Sequence, residues 1–348
     1  MNVTLRRKTM RWLLLTACIL ATALGSSAYF ALGADDDFAP GSLPLKRIAD
    51  VSLGGRPTRL DYASNDPERQ LLFIAHLGDG EVIVFDTRAG RVVTRIPGVA
   101  SVHGVLTIPE LSRVYASATG SNEIVAIDAN TLKITARMPG GTYPDGMAYA
   151  SEAHKLYVSD ETGATETVID VRSNTRIATI PLEGEAGNTQ YDPVSRHIFV
   201  NVQSRRQLVE IDPSTDRIIA RIDLPGARGN HGLLIDPAQR LAFIACEGND
   251  KLLVLDMHTK QVTSSFDVGS DPDVLAFDPQ MHLLHVAGEA GIVSMFKANE
   301  GLVSKIGDGR IGVNAHVVAV DGSTHRVYFP LRDVHGKATL RIMEATTG

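Results

Sequence analysis

The strongest constraint in this 348-residue chain is a phrase that returns at a nearly fixed interval. A bulky residue centres each of seven apolar runs, at Phe73, Tyr115, Tyr157, Phe199, Phe243, His285 and Tyr328. The successive gaps are 42, 42, 42, 44, 42 and 43 residues. A chain repeating one unit at this period stacks copies of a single motif, because one copy cannot bury its own apolar face. So regular a period leaves no room for a second domain of another kind.

Each unit holds four short runs, as in "HGLLID" (231–236), "RLAFIACE" (240–247), "KLLVLD" (251–256) and "QVTSSFDV" (261–268). Polar turns rich in Pro, Gly, Asn and Asp separate them, which is the pattern of antiparallel strands. Third runs end on Asp86, Asp128, Asp170, Asp212 and Asp256, each 13 residues after its bulky marker. Four strands per unit of about 42 residues predict an all-β propeller. The last unit, "HVVAVD", "RVYFPLR" and "TLRIMEA", lacks a fourth strand, whereas "LKRIADVSLGG" (45–55) is a fourth strand with nothing before it. The N-terminal strand is therefore expected to complete the last blade and remove the open edges. That makes seven blades, in a single domain over 35–348 with blades from about residue 44.

Residues 1–34 read differently. "MNVTLRRKTMR" is basic, "WLLLTACILATALGSSAYFALGA" is apolar, and "DDD" follows abruptly. This is a signal peptide, cleaved after Ala28 or Ala34, or a retained membrane anchor. Either way the basic flank stays inside and the rest is exported, to the periplasm or beyond. Cys18 in "LTAC" resembles a lipobox behind a short apolar stretch. Export leaves Cys246 as the only cysteine, so no intramolecular disulfide forms. Losing Arg6, Arg7, Lys8 and Arg11 leaves 30 basic against 40 acidic residues, a balance of −10. Nothing in that balance invites nucleic acid, and membrane contact requires the N-terminal segment to be retained.

The repeat also aligns chemistry. Twelve residues before each marker stand Asp61, His103, Asp145, Gly187, His231, Asp273 and His316. The first strand of a propeller blade is innermost, so this column is expected to rim the central channel as a ring of alternating His and Asp with one gap. Gly104 and Gly232 follow two of the histidines and are expected to let backbone crowd the axis. A second column, four residues after each marker, holds Leu77, Thr119, Glu161, Gln203, Glu247, Glu289 and Arg332, and it shares the same face. Glu161, Glu247 and Glu289 would make that face acidic, and the gap beside Asn188 would admit a ligand from blade four.

Three readings of the ring stay open. His316, Asp61 and His103, from adjacent blades, suit a divalent first-row metal, with Asp145 and Asp273 orienting the imidazoles and His231 completing the ring. Without metal, carboxylates raise the imidazole pKa and supply acid–base groups or a site for a small polar ligand. Alternatively, Asp and His simply hydrogen-bond one another and lock the blades, leaving a monomeric scaffold for a protein partner.

"KLYVSD" (155–160), "HIFVNV" (197–202) and the recurrent Asp-Pro turns resemble the YVTN-type seven-bladed propellers of bacteria, over about residues 44–347. The resemblance implies the fold and an exported protein; roles in that family are diverse, and some relatives look like DNA binders. The ring is loosely similar to the blade-top histidines of the nitrous oxide reductase propeller, but half of it is aspartate. Lactonases and lyases on related propellers place their chemistry at the channel mouth, a likeness of architecture only. "GDGRIG" (307–312) matches a dinucleotide fingerprint without the helix that mechanism needs. His154, His197, His258, His282 and His325 are read as solvent-facing, and His335 as the tip of a long loop overhanging the channel.

Overall fold

The structure, a computed structural model, describes residues 43–346. The segment read as a signal or anchor, with Cys18 and Trp12, lies outside the described residues. Seven four-stranded antiparallel sheets follow one another in chain order. The inner strands of successive blades pack side by side until the first meets the last, which closes the ring.

Burial explains each strand's composition. Second strands such as Leu71–His76 and Leu241–Cys246 are covered on both faces by neighbouring blades and read as continuous apolar runs. Outer strands such as Lys133–Pro139 alternate partly buried and exposed positions, because one face meets water. Between blades the core is a series of apolar layers; one joins Phe73, Val84 and Ile96 to Val105, Val114 and Val125.

The recurrent aspartates are turn devices. Asp128 Oδ1 accepts the backbone N–H groups of Asn130 and Thr131 at 3.0 and 2.7 Å, and Asp256 does the same for His258 and Thr259 at 2.7 and 2.9 Å. These bonds favour the ionised carboxylates and hold the pKa of both below the ordinary value.

Closure occurs through the N-terminal strand. Leu45–Ser52 pairs antiparallel with Lys337–Ala345, from Leu45 opposite Ala345 to Ser52 opposite Thr339. Arg341, fully buried, donates through Nε and Nη2 to the two Asp50 carboxylate oxygens at 2.9 and 2.7 Å. The seam thus carries a charged clasp as well as a ladder of hydrogen bonds.

Three expectations need correction. The inner strands of blades one and seven are only Ala63–Asp66 and Ala319–Asp321, so Asp61 and His316 precede them rather than opening them. His335 does not lie in a long loop: strands Arg326–Val334 and Lys337–Ala345 run into a tight hairpin whose turn residues His335 and Gly336 have φ of +51° and +79°. His197 and His325 do not face solvent freely, because their Nδ1 atoms lie 2.7 Å from Glu210 and Asp278.

Candidate functional site

The ring exists because of a bulge repeated in five blades. Val102 pairs with Ala118 and Val105 with Ala116, so His103 and Gly104 together oppose Ser117. The same two-against-one arrangement places Asp145, Gly187, His231 and Asp273. A bulge re-aims the side chain that carries it. The residue after each ring position then passes close to the next blade: a Cβ on Gly104 would strike the Asp145 carbonyl oxygen, and one on Gly232 that of Asp273.

Blade one breaks this column with Tyr62, a residue the repeat register offered but whose role was missed. Its hydroxyl donates to Asn188 Oδ1 of blade four at 2.5 Å and lies 3.5 Å from His231 Nε2. Blades one and four are as far apart around a seven-membered ring as two blades can be. The phenol therefore spans the axis and gives the ring a floor. Asn188 is its anchor.

Around that floor the charges are near neighbours without direct hydrogen bonds. His231 Nε2 lies 3.7 Å from Asp273 Oδ1 and 3.8 Å from Asp145 Oδ2. His316 Nε2 lies 3.9 Å from Asp61 Oδ2 and 4.0 Å from Asp273 Oδ2. The His231–Asp145 approach skips blade four, where Gly187 offers no side chain. All four separations exceed hydrogen-bond range. A ring locked by direct Asp–His bonding is therefore not what forms. Asp145 Oδ1, Asp273 Oδ1 and His316 Nε2 are buried with no hydrogen-bond partner among the described residues. Buried polar atoms left in this state call for an explanation.

Rim carboxylates complete the picture. Two sets of donor atoms lie within 4.8 Å of one another: His231, Glu247 and Asp273, and Asp273, Glu289 and His316. Glu247 opens a tight 3₁₀ turn, Glu247–Asn249, directly after the second strand of blade five. Arg59, also missed from the sequence, donates to Asp61 at 2.9 Å and to Glu289 at 2.6 Å, bridging blades one and six. Asn314 donates to the other Glu289 oxygen.

The expected trio of His316, Asp61 and His103 is not one of these sets. Asp61 sits near His316 and, like Glu289, accepts from Arg59. His103 is half-buried, with Nδ1 2.9 Å from the Ser101 carbonyl and Nε2 3.0 Å from the Tyr143 hydroxyl. Glu161 accepts from Gln203 Nε2 at 3.3 Å. A third set, His76, Asp79 and Glu81, shares no residue with the other two. Arg56 and Arg95 pair its carboxylates, and the His76 ring faces Thr58 and Glu81, so it is a neutralised packing network.

Electrostatics follow from burial and proximity. Burial opposes charge on His231, yet Asp273, Glu247 and Asp145 outweigh it and hold the pKa at about 9. His316 is likewise raised, against burial, by Asp61 and Asp273. Burial pushes Asp145 well above the ordinary carboxylate range and Asp273 above it. Glu247 rises to about 7, chiefly through burial, with His231 pulling the other way. Asp61 goes to about 2: His316 and Arg59 overcome its burial. Imidazole nitrogens and carboxylate oxygens converging at this density could hold a cation.

No family model matches the chain, and no curated relative matches it. Among solved structures the chain is similar to hydrazine synthase of Kuenenia stuttgartiensis, at 13% identity and TM-score 0.70, covering 83% of this chain and 96% of that one. It is also similar to the RRP9 WD40 repeats (11%, TM-score 0.73, 86% and 99% covered) and to U3-55K (11%, 0.72, 85% and 98%). These likenesses show the seven-bladed propeller alone. Any function must be argued from the ring.

Proposed function

We propose that this is an exported propeller of the YVTN type that binds a divalent first-row metal ion at its channel mouth, with Asp273 as the central ligand. One observation carries the reading. The buried Asp273 carboxylate, with Oδ1 unpartnered, lies within ligating reach of an imidazole and a rim glutamate at once. Imidazole and carboxylate donors suit ions from Mn²⁺ to Zn²⁺ better than all-oxygen Ca²⁺ cages. A bound ion would serve as Lewis acid and anchor for a small polar ligand entering over the acidic rim, and hydrolytic or lyase chemistry would draw on it in that role. The basic, then apolar N-terminal segment supports export.

Metal analysis of tag-free protein, with thermal melts before and after adding Mn²⁺ or Zn²⁺, tests the reading. At a hundredfold excess over Kd a ligand specific to the folded state adds about 2.7 kcal/mol. For a domain of this size that raises Tm by several degrees. Metal at background together with an unmoved Tm rejects the site. Export has its own check: Trp12 is the sole tryptophan, so a cleaved product fluoresces through tyrosine only.

A second reading, a scaffold for a protein partner, draws on the outer strand Leu302–Arg310, where Leu302 is 77% exposed and Ile306 39%. Leu302→Asp would abolish capture of such a partner and leave metal binding intact.

A further inference from the structure

We infer that the channel-mouth site is binuclear: Asp273 bridges two divalent cations, one held with His231 and Glu247, the other with His316 and Glu289. The inference rests on the metal reading above and deepens it from one ion to a pair.

The donors do not converge as a single group of five. They fall into two groups of three that share only Asp273. The sharing is resolved at atomic level, because Oδ1 faces His231 Nε2 at 3.7 Å while Oδ2 faces His316 Nε2 at 4.0 Å. A carboxylate presenting a different oxygen to each of two imidazoles is the geometry of a bridging ligand. Each imidazole also has its own rim glutamate. Bridged pairs place their ions about 3.5–4 Å apart, and the carboxylate charge between them offsets their repulsion. The unpartnered polar atoms agree: Asp273 Oδ1 belongs to one half and His316 Nε2 to the other.

The halves differ in one respect: Arg59 donates to Glu289 at 2.6 Å on the His316 side. A guanidinium beside a cation site opposes loading there. Filling is therefore stepwise, with the His231 half first and the His316 half at higher metal concentration.

The experiment is a titration of the full, tag-free protein with Mn²⁺, read by equilibrium dialysis and by electron paramagnetic resonance. The expected result is about two equivalents in two steps, with an exchange-coupled Mn²⁺ pair signal appearing in the second. Glu247→Gln and Glu289→Gln each lose one equivalent and the coupled signal. Both glutamates lie on the rim and are partly exposed, so these variants keep the parent's circular dichroism; Glu247→Gln keeps its metal-free Tm, and Glu289→Gln lowers it by no more than the loss of its ion pair with Arg59. A single equivalent with only an uncoupled signal overturns the binuclear inference and leaves the one-ion reading standing. No bound Mn²⁺ overturns both.

Discussion

Replacing His285 with phenylalanine tests the packing logic of the repeat. In the other six units this position is Phe or Tyr, central to the doubly covered second strand. In blade six it is a histidine with no exposure, and neither ring nitrogen has a partner among the described residues. Burial lowers its pKa from 6.5 to about 4, with Asp278 pulling weakly the other way. Between those two values the unfolded chain binds one more proton than the native state. Stability contributed by the neutral buried ring is therefore complete above about pH 6.5 and lost as pH falls toward 4. The slope is about 1.4 kcal/mol per pH unit, so moving from neutral pH to about pH 5 costs the parent about 2 kcal/mol through this residue alone. His285→Phe should be at least as stable near pH 7.5, since it also removes two unsatisfied nitrogens worth about 1 kcal/mol or more. Urea unfolding of both proteins at the two pH values gives the answer, because pH effects shared by parent and variant cancel in the difference. The variant's advantage should widen by about 2 kcal/mol at the lower pH. Parallel pH profiles would refute the reasoning, showing that the ring is not held neutral by its surroundings.

Gly232→Ala should cost about 2 kcal/mol in urea unfolding and weaken metal binding, because its Cβ meets the Asp273 carbonyl together with Leu275 and Ala245. Asp50→Ala removes two charge-assisted bonds from the closing seam; a loss of about 2 kcal/mol or more is expected, with earlier proteolysis at the N-terminal strand. Glu166 is buried without a partner for either oxygen among the described residues, and burial, then Asp160, raises its pKa well above 4.5. A carboxyl raised on folding loses stability as pH climbs past its unfolded value, so Glu166→Met should stabilise by about 2 kcal/mol at pH 8 and less at pH 5, by calorimetry. Cys246, fully buried with its thiol pushed up to about 12, should resist alkylation until the protein unfolds.

Blade number, strand order and the closing strand were legible because each follows from periodicity, and periodicity survives any choice of side-chain rotamer. The His/Asp column was legible for the same reason: a fixed offset from the marker is a fixed place in the blade. What the register does not encode is which neighbours a side chain selects. His103, His231 and His316 hold equivalent places, yet Tyr143 captures His103 while the other two stand beside Asp273. Arg59 lies outside any repeated column, so no spacing pointed to it. Tyr62 did leave a signal, as the one bulky side chain at a position otherwise held by Gly104, Gly146, Asn188, Gly232, Val274 and Val317.

The departures from sevenfold regularity therefore locate the site better than the regularity does. A repeat with equal residues at all seven spokes would set like charges around a common axis, and they would repel. Here blade four gives up its spoke at Gly187, which lets Asp145 approach His231 across the gap. Blade one places Tyr62 where other blades need small residues, and its hydroxyl finds Asn188, the neighbour of that missing spoke. The two irregularities answer each other across the axis and close the floor. Charge is then concentrated over blades five to seven, where Asp273 stands between two imidazoles with both oxygens engaged by neither at hydrogen-bond distance. Packing alone would remove such groups or pair them directly, since each buried unsatisfied polar atom costs about 1–3 kcal/mol. A cation shared by those donors, as proposed above, would offset that cost.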